Sequence, residues 1–260
     1  MRLSLGRQLP KGIILGGGAN NHLSGLMDAM SLPKPYYEDE KAGIVIYHGD
    51  CREIIPHLPK VDLVLTDPPY GVNLNVKTKS SQRGRPANKG FNGHELVRDW
   101  DNIVGDEGPF DPSFVLHFKK VILWGGIYYQ SVLPVNARWL VWDKRCGSAS
   151  DDNADCEFAW TNLRGQARVF SQYWRGWLRE GEENLSVGGA KLHPTQKPIR
   201  LMKWCIGLAG DSDTILDPFM GSGTTLRAAK DLGRKAIGVE LEERYCEIAA
   251  KRLAQEVLPF

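Results

Sequence analysis

The sequence predicts an α/β protein built on a mostly parallel, doubly wound sheet. Three observations carry this expectation: short apolar runs recur along the chain, helical patterns follow several of them, and two turn-rich loops open where such runs end. Strands that alternate with helices are covered on both faces, which is the setting of a parallel sheet. At 260 residues the chain suits one large domain with insertions, not two of ordinary size.

The runs read as strands lie at 43–48, 63–66, 121–124, 139–142, 156–160, 169–173, 214–216 and 236–239. The clearest helical pattern spans 242–253, with Tyr245, Ile248, Ala249 and Leu253 on one face; a second covers about 226–232. Residues 1–33 are Gly-rich and weakly patterned, with Gly16-Gly17-Gly18 and Asn20-Asn21 breaking any helix, so they read as an extension to a single domain at 34–260; Met27 and Met30 are alternative starts. Two irregular stretches, about 71–112 and 162–191, read as inserted loops; segments this long inside a domain are functional or disordered.

Composition excludes several classes. The net charge is only +2, so any polyanion partner must be gripped by local clusters. Five cysteines, Cys51, Cys146, Cys156, Cys205 and Cys246, include no C-x-x-C pair, which reads as reduced thiols in a cytoplasmic protein without a metal site. No apolar run reaches the ~18 residues of a membrane span, and no signal peptide is visible.

Two segments carry chemistry. Asp67-Pro68-Pro69-Tyr70 follows the run that ends at Thr66, at the carboxyl end of a strand where α/β sheets bind ligands. The prolines restrict the turn, so the Asp67 carboxylate and the Pro68 carbonyl can converge rigidly beside the Tyr70 ring. Two acceptors and a ring suit an amino group on a heteroaromatic base: its lone pair is delocalised until acceptors engage its hydrogens, while the aromatic ring stacks on the base.

The second segment, Asp217-Pro218-Phe219-Met220-Gly221-Ser222-Gly223-Thr224-Thr225, leads from a strand into a helix. Gly221 and Gly223 permit close backbone approach, and the helix start offers free N–H groups. Roughly 20 residues on stands Glu240, where an acid meets ribose hydroxyls in nucleotide folds, so the pair reads as an adenosine half-site. Neither a G-x-G-x-x-G fingerprint nor a G-K-[ST] loop is present, which disfavours NAD and ATP.

Together these segments resemble the amino-methylating DNA methyltransferases, with a D/N/S-P-P-Y/F/W catalytic tetrad and an F-x-G-x-G loop that binds S-adenosyl-L-methionine. The tetrad precedes the cofactor loop, which is similar to the beta group and its small phage-type members. That resemblance implies a seven-stranded, Rossmann-like sheet in circular permutation. It further implies that His193, Thr195 and Lys197 of the segment His193-Pro194-Thr195-Gln196-Lys197-Pro198 lie by the cofactor, with Lys197 near its carboxylate. Asp50 and Cys51, after the strand at 43–48, then face the cofactor's adenine, and 121–129 walls the base pocket, with Trp124 in the core.

A methyltransferase of this kind must flip its base out of double-stranded DNA. The basic loop with Lys77, Lys79, Arg83, Arg85 and Lys89 is the candidate for phosphate contact; the 164–179 region with Tyr173, Trp174 and Trp177 is the alternative. Asp at the first tetrad position resembles adenine-N6 enzymes more than cytosine-N4 enzymes, and the absence of a Pro-Cys dipeptide speaks against cytosine-C5 chemistry. The expectation is therefore a site-specific adenine-N6 DNA methyltransferase of the restriction-modification type, monomer or homodimer. A cytosine-N4 or RNA-base enzyme, or an inactive DNA-binding relative, remains open beside it.

Overall fold

Leu63–Thr66 (β3) is a run of Leu-Val-Leu-Thr with every residue buried, as a strand covered on both faces requires. It sits inside a sheet that defines the structure, a computed structural model that describes residues 32–73, 103–135, 137–148, 154–175, 178–181 and 195–255.

Around β3 lie Ile44–His48 (β2), Val121–Trp124 (β4), Thr214–Asp217 (β10) and Lys235–Glu240 (β11). They form a parallel block in the order β2-β11-β10-β3-β4. Arg138–Asp143 (β5) and Cys156–Thr161 (β6) continue it, β6 running antiparallel to both β4 and β5. All eight runs read as strands from the sequence are strands here, with ends shifted by a residue or two.

The sheet has nine strands, not the expected seven. Tyr37–Asp39 (β1) pairs antiparallel with β2 at one edge, and Arg168–Ser171 (β7) pairs parallel with β5 at the other. Tyr-Glu-Asp offers no apolar alternation to read; β1 is fixed instead by tertiary contacts, Lys230 Nζ donating to Asp39 Oδ2 at 2.8 Å. The stretch at 162–191 is likewise not all loop. It supplies β7 and a hairpin of Trp174–Arg175 (β8) and Leu178–Arg179 (β9). Trp174 is buried, its ring 6.0 Å from that of Trp142, so it belongs to the core and not to a DNA surface.

Helices cover the sheet. Ile199–Leu208 (α3) begins after Pro198, whose extended backbone marks the entry. Thr224–Asp231 (α4) and Glu243–Leu253 (α5) flank β11, and short helices Cys51–Ile54 (α1) and Ser113–Leu116 (α2) lie by the tetrad side of the chain order. On α5 the buried face is Tyr245, Cys246, Ala249 and Leu253, with Ile248 only half-buried. Gly238 in β11 leaves room for Leu226 of α4 and for Met220: a Cβ there would stand 2.8 Å from Leu226 Cδ2 and 2.5 Å from Met220 Sδ.

Among the described residues no helix is long and apolar enough to cross a membrane, and no group of three His, Cys, Asp or Glu could hold a metal ion. Lys77, Lys79, Arg83, Arg85, Lys89, Trp177 and His193 lie outside the described residues, as does the extension at 1–31.

Candidate active site

β3 and β10 run side by side and parallel, Leu63 paired with Ile215 and Val64 with Leu216. The loops that leave their carboxyl ends therefore open at the same edge of the sheet, at the point where the chain order reverses. A buried hydrogen bond ties the two together: Thr66 Oγ1 donates to Asp217 Oδ1 at 2.6 Å, across 151 residues of chain. Asp217 Oδ1 also accepts from the Phe219 backbone N–H at 3.1 Å. Burial pushes the Asp217 carboxyl up to about 6.

Asp67 stands at the centre of the tetrad side. Its Oδ1 accepts from the Tyr70 hydroxyl, and its Oδ2 from the Lys197 ammonium at 2.5 Å. Lys197, on the segment before α3, is 5% exposed and also lies 3.1 Å from Glu157 Oε2 of β6. The other oxygen of Glu157 is held by Lys144 at 2.8 Å. Two lysines thus alternate with two carboxylates. Burial holds Asp67 above the usual carboxylate range although Lys197 pulls the other way. For Glu157 burial is outweighed by Lys197 and Lys144, which hold it below that range.

The Tyr70 ring packs close to Gly125, whose φ of +75° is in the left-handed region. A Cβ at Gly125 would stand 2.0 Å from Tyr70 Cε1, so glycine is required both for the backbone and for the ring. On its other contact the ring stacks with Tyr128, centroids 4.9 Å apart at 16°. Tyr128 itself is 55% exposed.

On the glycine side, Gly221 and Gly223 have φ of +50° and +76°. Gly223 caps α4 and packs against Ala249, where a Cβ would come within 2.9 Å. Glu240, at the end of β11, accepts from the Gly221 N–H at 2.9 Å and from the Glu242 N–H at 2.9 Å. Burial pushes its carboxyl up to about 7. One cavity joins the two sides, lined among others by Asp67, Thr195, Lys197, Phe219, Gly221 and Ser222.

A family model described as DNA methylase, of the N6/N4 methyltransferases, matches residues 138–251. In this region the chain is similar to the amino-methylating N6/N4 DNA methyltransferases. Type II methyltransferase M2.LlaDCHI of Lactococcus lactis subsp. cremoris is 26% identical, over 85% of this chain and 93% of that protein. Type II methyltransferase M2.DpnII of Streptococcus pneumoniae is also 26% identical, over 86% of this chain and 94% of its own length. Among solved structures, PvuII DNA methyltransferase (cytosine-N4-specific) superposes with a TM-score of 0.49 at 17% identity, covering 84% of this chain and 88% of that one.

The cofactor-site and tetrad residues expected from sequence divide into three groups. Asp67, Thr195, Lys197, Asp217, Phe219, Gly221, Ser222, Thr224 and Thr225 line the shared cavity, with Pro68, Pro69, Tyr70 and Gly223 in the loops beside it and Glu240 at the end of β11. Asp50 and Cys51 lie farther along the same edge: β2 pairs with β11 up to His48 and Glu240, and the Gly49 N–H donates to the Glu240 carbonyl at 2.9 Å. There Asp50 caps α1 by accepting from the Arg52 N–H at 2.8 Å, and Cys51 is buried, its thiol pushed up to about 12. His193 falls outside the described residues.

Lys197, expected near a cofactor carboxylate, has its ammonium engaged by Asp67 and Glu157 in this structure. A buried ammonium needs a carboxylate partner, and these are the two within reach. Sequence reasoning missed Glu157 as a site residue, and placed Tyr128 only within the 121–129 wall of the base pocket. Glu157 had left a trace: a charged residue inside the apolar run 156–160, which is costly unless paired.

Proposed function

We propose that this protein transfers a methyl group from S-adenosyl-L-methionine to N6 of an adenine flipped out of double-stranded DNA, at a specific sequence. One observation carries the reading: the Asp67 carboxylate and the Gly221-Ser222 backbone line the same cavity, so acceptor and cofactor loop face one space.

The residues fit the cofactor. Gly221 and Gly223 leave the loop without side chains, Ser222, Thr224 and Thr225 bring hydroxyls to the start of α4, and Glu240 offers a carboxylate already accepting hydrogen bonds at the strand end. When bound, the cofactor supplies an electrophilic methyl on a sulfonium. The protein's part is orientation and electrostatics. Asp67 accepts a hydrogen of the target amine, the Pro68 carbonyl takes the other, and Tyr70 stacks on the base. Glu240 holds the ribose hydroxyls, and Asp50 and Cys51 lie toward the adenine. His193 and Thr195 belong with the methionine end. Lys77, Lys79, Arg83, Arg85 and Lys89 contact phosphates.

The strand order supports circular permutation. Renumbered from β10, the seven strands β2-β11-β10-β3-β4-β6-β5 read 3-2-1-4-5-7-6, with the glycine loop after strand 1 at the switch point. Asp at the head of the tetrad favours adenine over cytosine-N4. The test is to express the full chain in a host lacking DNA methylation and digest the DNA to nucleosides for mass spectrometry. N6-methyladenine is expected; N4-methylcytosine would replace the target base, and unmodified DNA with no binding of S-adenosyl-L-methionine in a titration would leave a non-catalytic DNA-binding protein.

A further inference from the structure

Both oxygens of Asp67 are occupied, one by the Tyr70 hydroxyl and the other by Lys197 at 2.5 Å. On the reading proposed above, an incoming amine needs one of them. Tyr70 is fixed by its packing against Gly125, where even a methyl group would collide with the ring. Lys197 is the partner that can yield, because a second carboxylate waits beside it: Glu157 Oε2 lies 3.1 Å from the same ammonium.

We infer that Glu157 is a positioning residue that receives Lys197 when the target amine takes its place on Asp67. Three features support this. Lys197 is nearly fully buried, so leaving Asp67 for no partner would strand a desolvated charge. Glu157 stays in place when Lys197 moves, since Lys144 holds its other oxygen at 2.8 Å and Lys144 itself lies over the Trp142 ring. And β6 pairs in full with β5 from Cys156 to Thr161, so the strand that presents Glu157 is rigid. A short swing of one side chain then frees Asp67 Oδ2 while the buried Lys197 ammonium keeps a counter-charge in Glu157. No proton changes hands in the swing.

The experiment compares wild type with Glu157→Gln and Glu157→Asp, each as the full chain, in single-turnover methylation of unmethylated duplex DNA. S-adenosyl-L-methionine titration and thermal melting run beside it. In Glu157→Gln the lysine has one charged partner left and locks onto Asp67. The methylation rate is expected to fall by about tenfold or more, with cofactor affinity changed by less than about threefold. Glu157→Asp, which keeps the charge, should recover most of the rate. A Glu157→Gln enzyme at the wild-type rate overturns the inference, and so do two variants that lose rate and cofactor affinity in parallel. Wild-type enzyme that transfers no methyl to DNA overturns the proposed function, and this inference with it. A crystal structure with DNA gives an independent reading: Lys197 on Glu157 beside a flipped base is expected, and Lys197 still on Asp67 overturns it.

Discussion

The ammonium of Lys197 meets the carboxylate of Asp67 at 2.5 Å, across 130 residues of chain, and the same ammonium lies 3.1 Å from Glu157. One cation therefore serves two carboxylates, which makes the group asymmetric toward substitution. Removing either carboxylate leaves Lys197 a partner; removing Lys197 leaves two acids facing each other with only Lys144 nearby.

Lys197→Met should accordingly cost about 3 kcal/mol or more of stability, the range for breaking a buried pair. Asp67→Ala should cost only about 1 kcal/mol. Denaturant melts of the two variants check the order. Asp67→Ala is also expected to abolish methyl incorporation while S-adenosyl-L-methionine still binds; full turnover in that variant removes Asp67 from the mechanism.

Gly125→Ala places a methyl group 2.0 Å from the Tyr70 ring at a φ of +75°. The left-handed backbone alone costs about 1 kcal/mol or more with a side chain, and the ring must move. The rate of methylation should fall by about tenfold or more, with cofactor affinity unchanged, because the glycine loop lies on the other side of the cavity. Cofactor loss equal to the loss in rate would contradict this division.

Glu240 gives a pH dependence with a definite sign. Burial raises its carboxyl from 4.5 to about 7 in the free protein. Its contribution to stability is thus fully present below the unfolded value of 4.5 and is lost as pH rises through about 7. A ribose whose hydroxyls donate to this group needs the carboxylate form. Affinity for S-adenosyl-L-methionine should therefore rise from about pH 6 to about pH 8, and Glu240→Gln should bind weakly with that rise removed. Titration calorimetry at both ends of the range decides it.

The basic loop is tested through salt. Replacing Lys77, Lys79, Arg83, Arg85 and Lys89 with Gln should weaken DNA binding on all sequences alike. It should also reduce the slope of log affinity against log salt by up to about 4.5, since each phosphate contact contributes about 0.9. An unchanged slope in fluorescence anisotropy would assign phosphate contact to another surface.

The strands of the parallel block were legible because each is buried on both faces, and a fully apolar run such as Leu63–Thr66 announces that locally. The two chemical loops were legible for a related reason. Proline and glycine act on their own backbone, so Pro68, Pro69, Gly221 and Gly223 mark turns whatever surrounds them. β1 was hidden because Tyr-Glu-Asp has no period, and its place rests on a lysine 191 residues away.

Local chemistry in the chain thus specified the α/β class, the tetrad, the glycine loop and the acid at Glu240, since each depends on neighbouring residues. Which charges share a partner is different in kind. Lys197, Asp67, Glu157 and Lys144 come from four separate segments, and their pairing follows from burial, which forces a desolvated ammonium onto whatever carboxylates the folded sheet brings within about 3 Å. No spacing in the chain encodes that distance. It exists only once β3, β5, β6 and the segment before α3 have packed together.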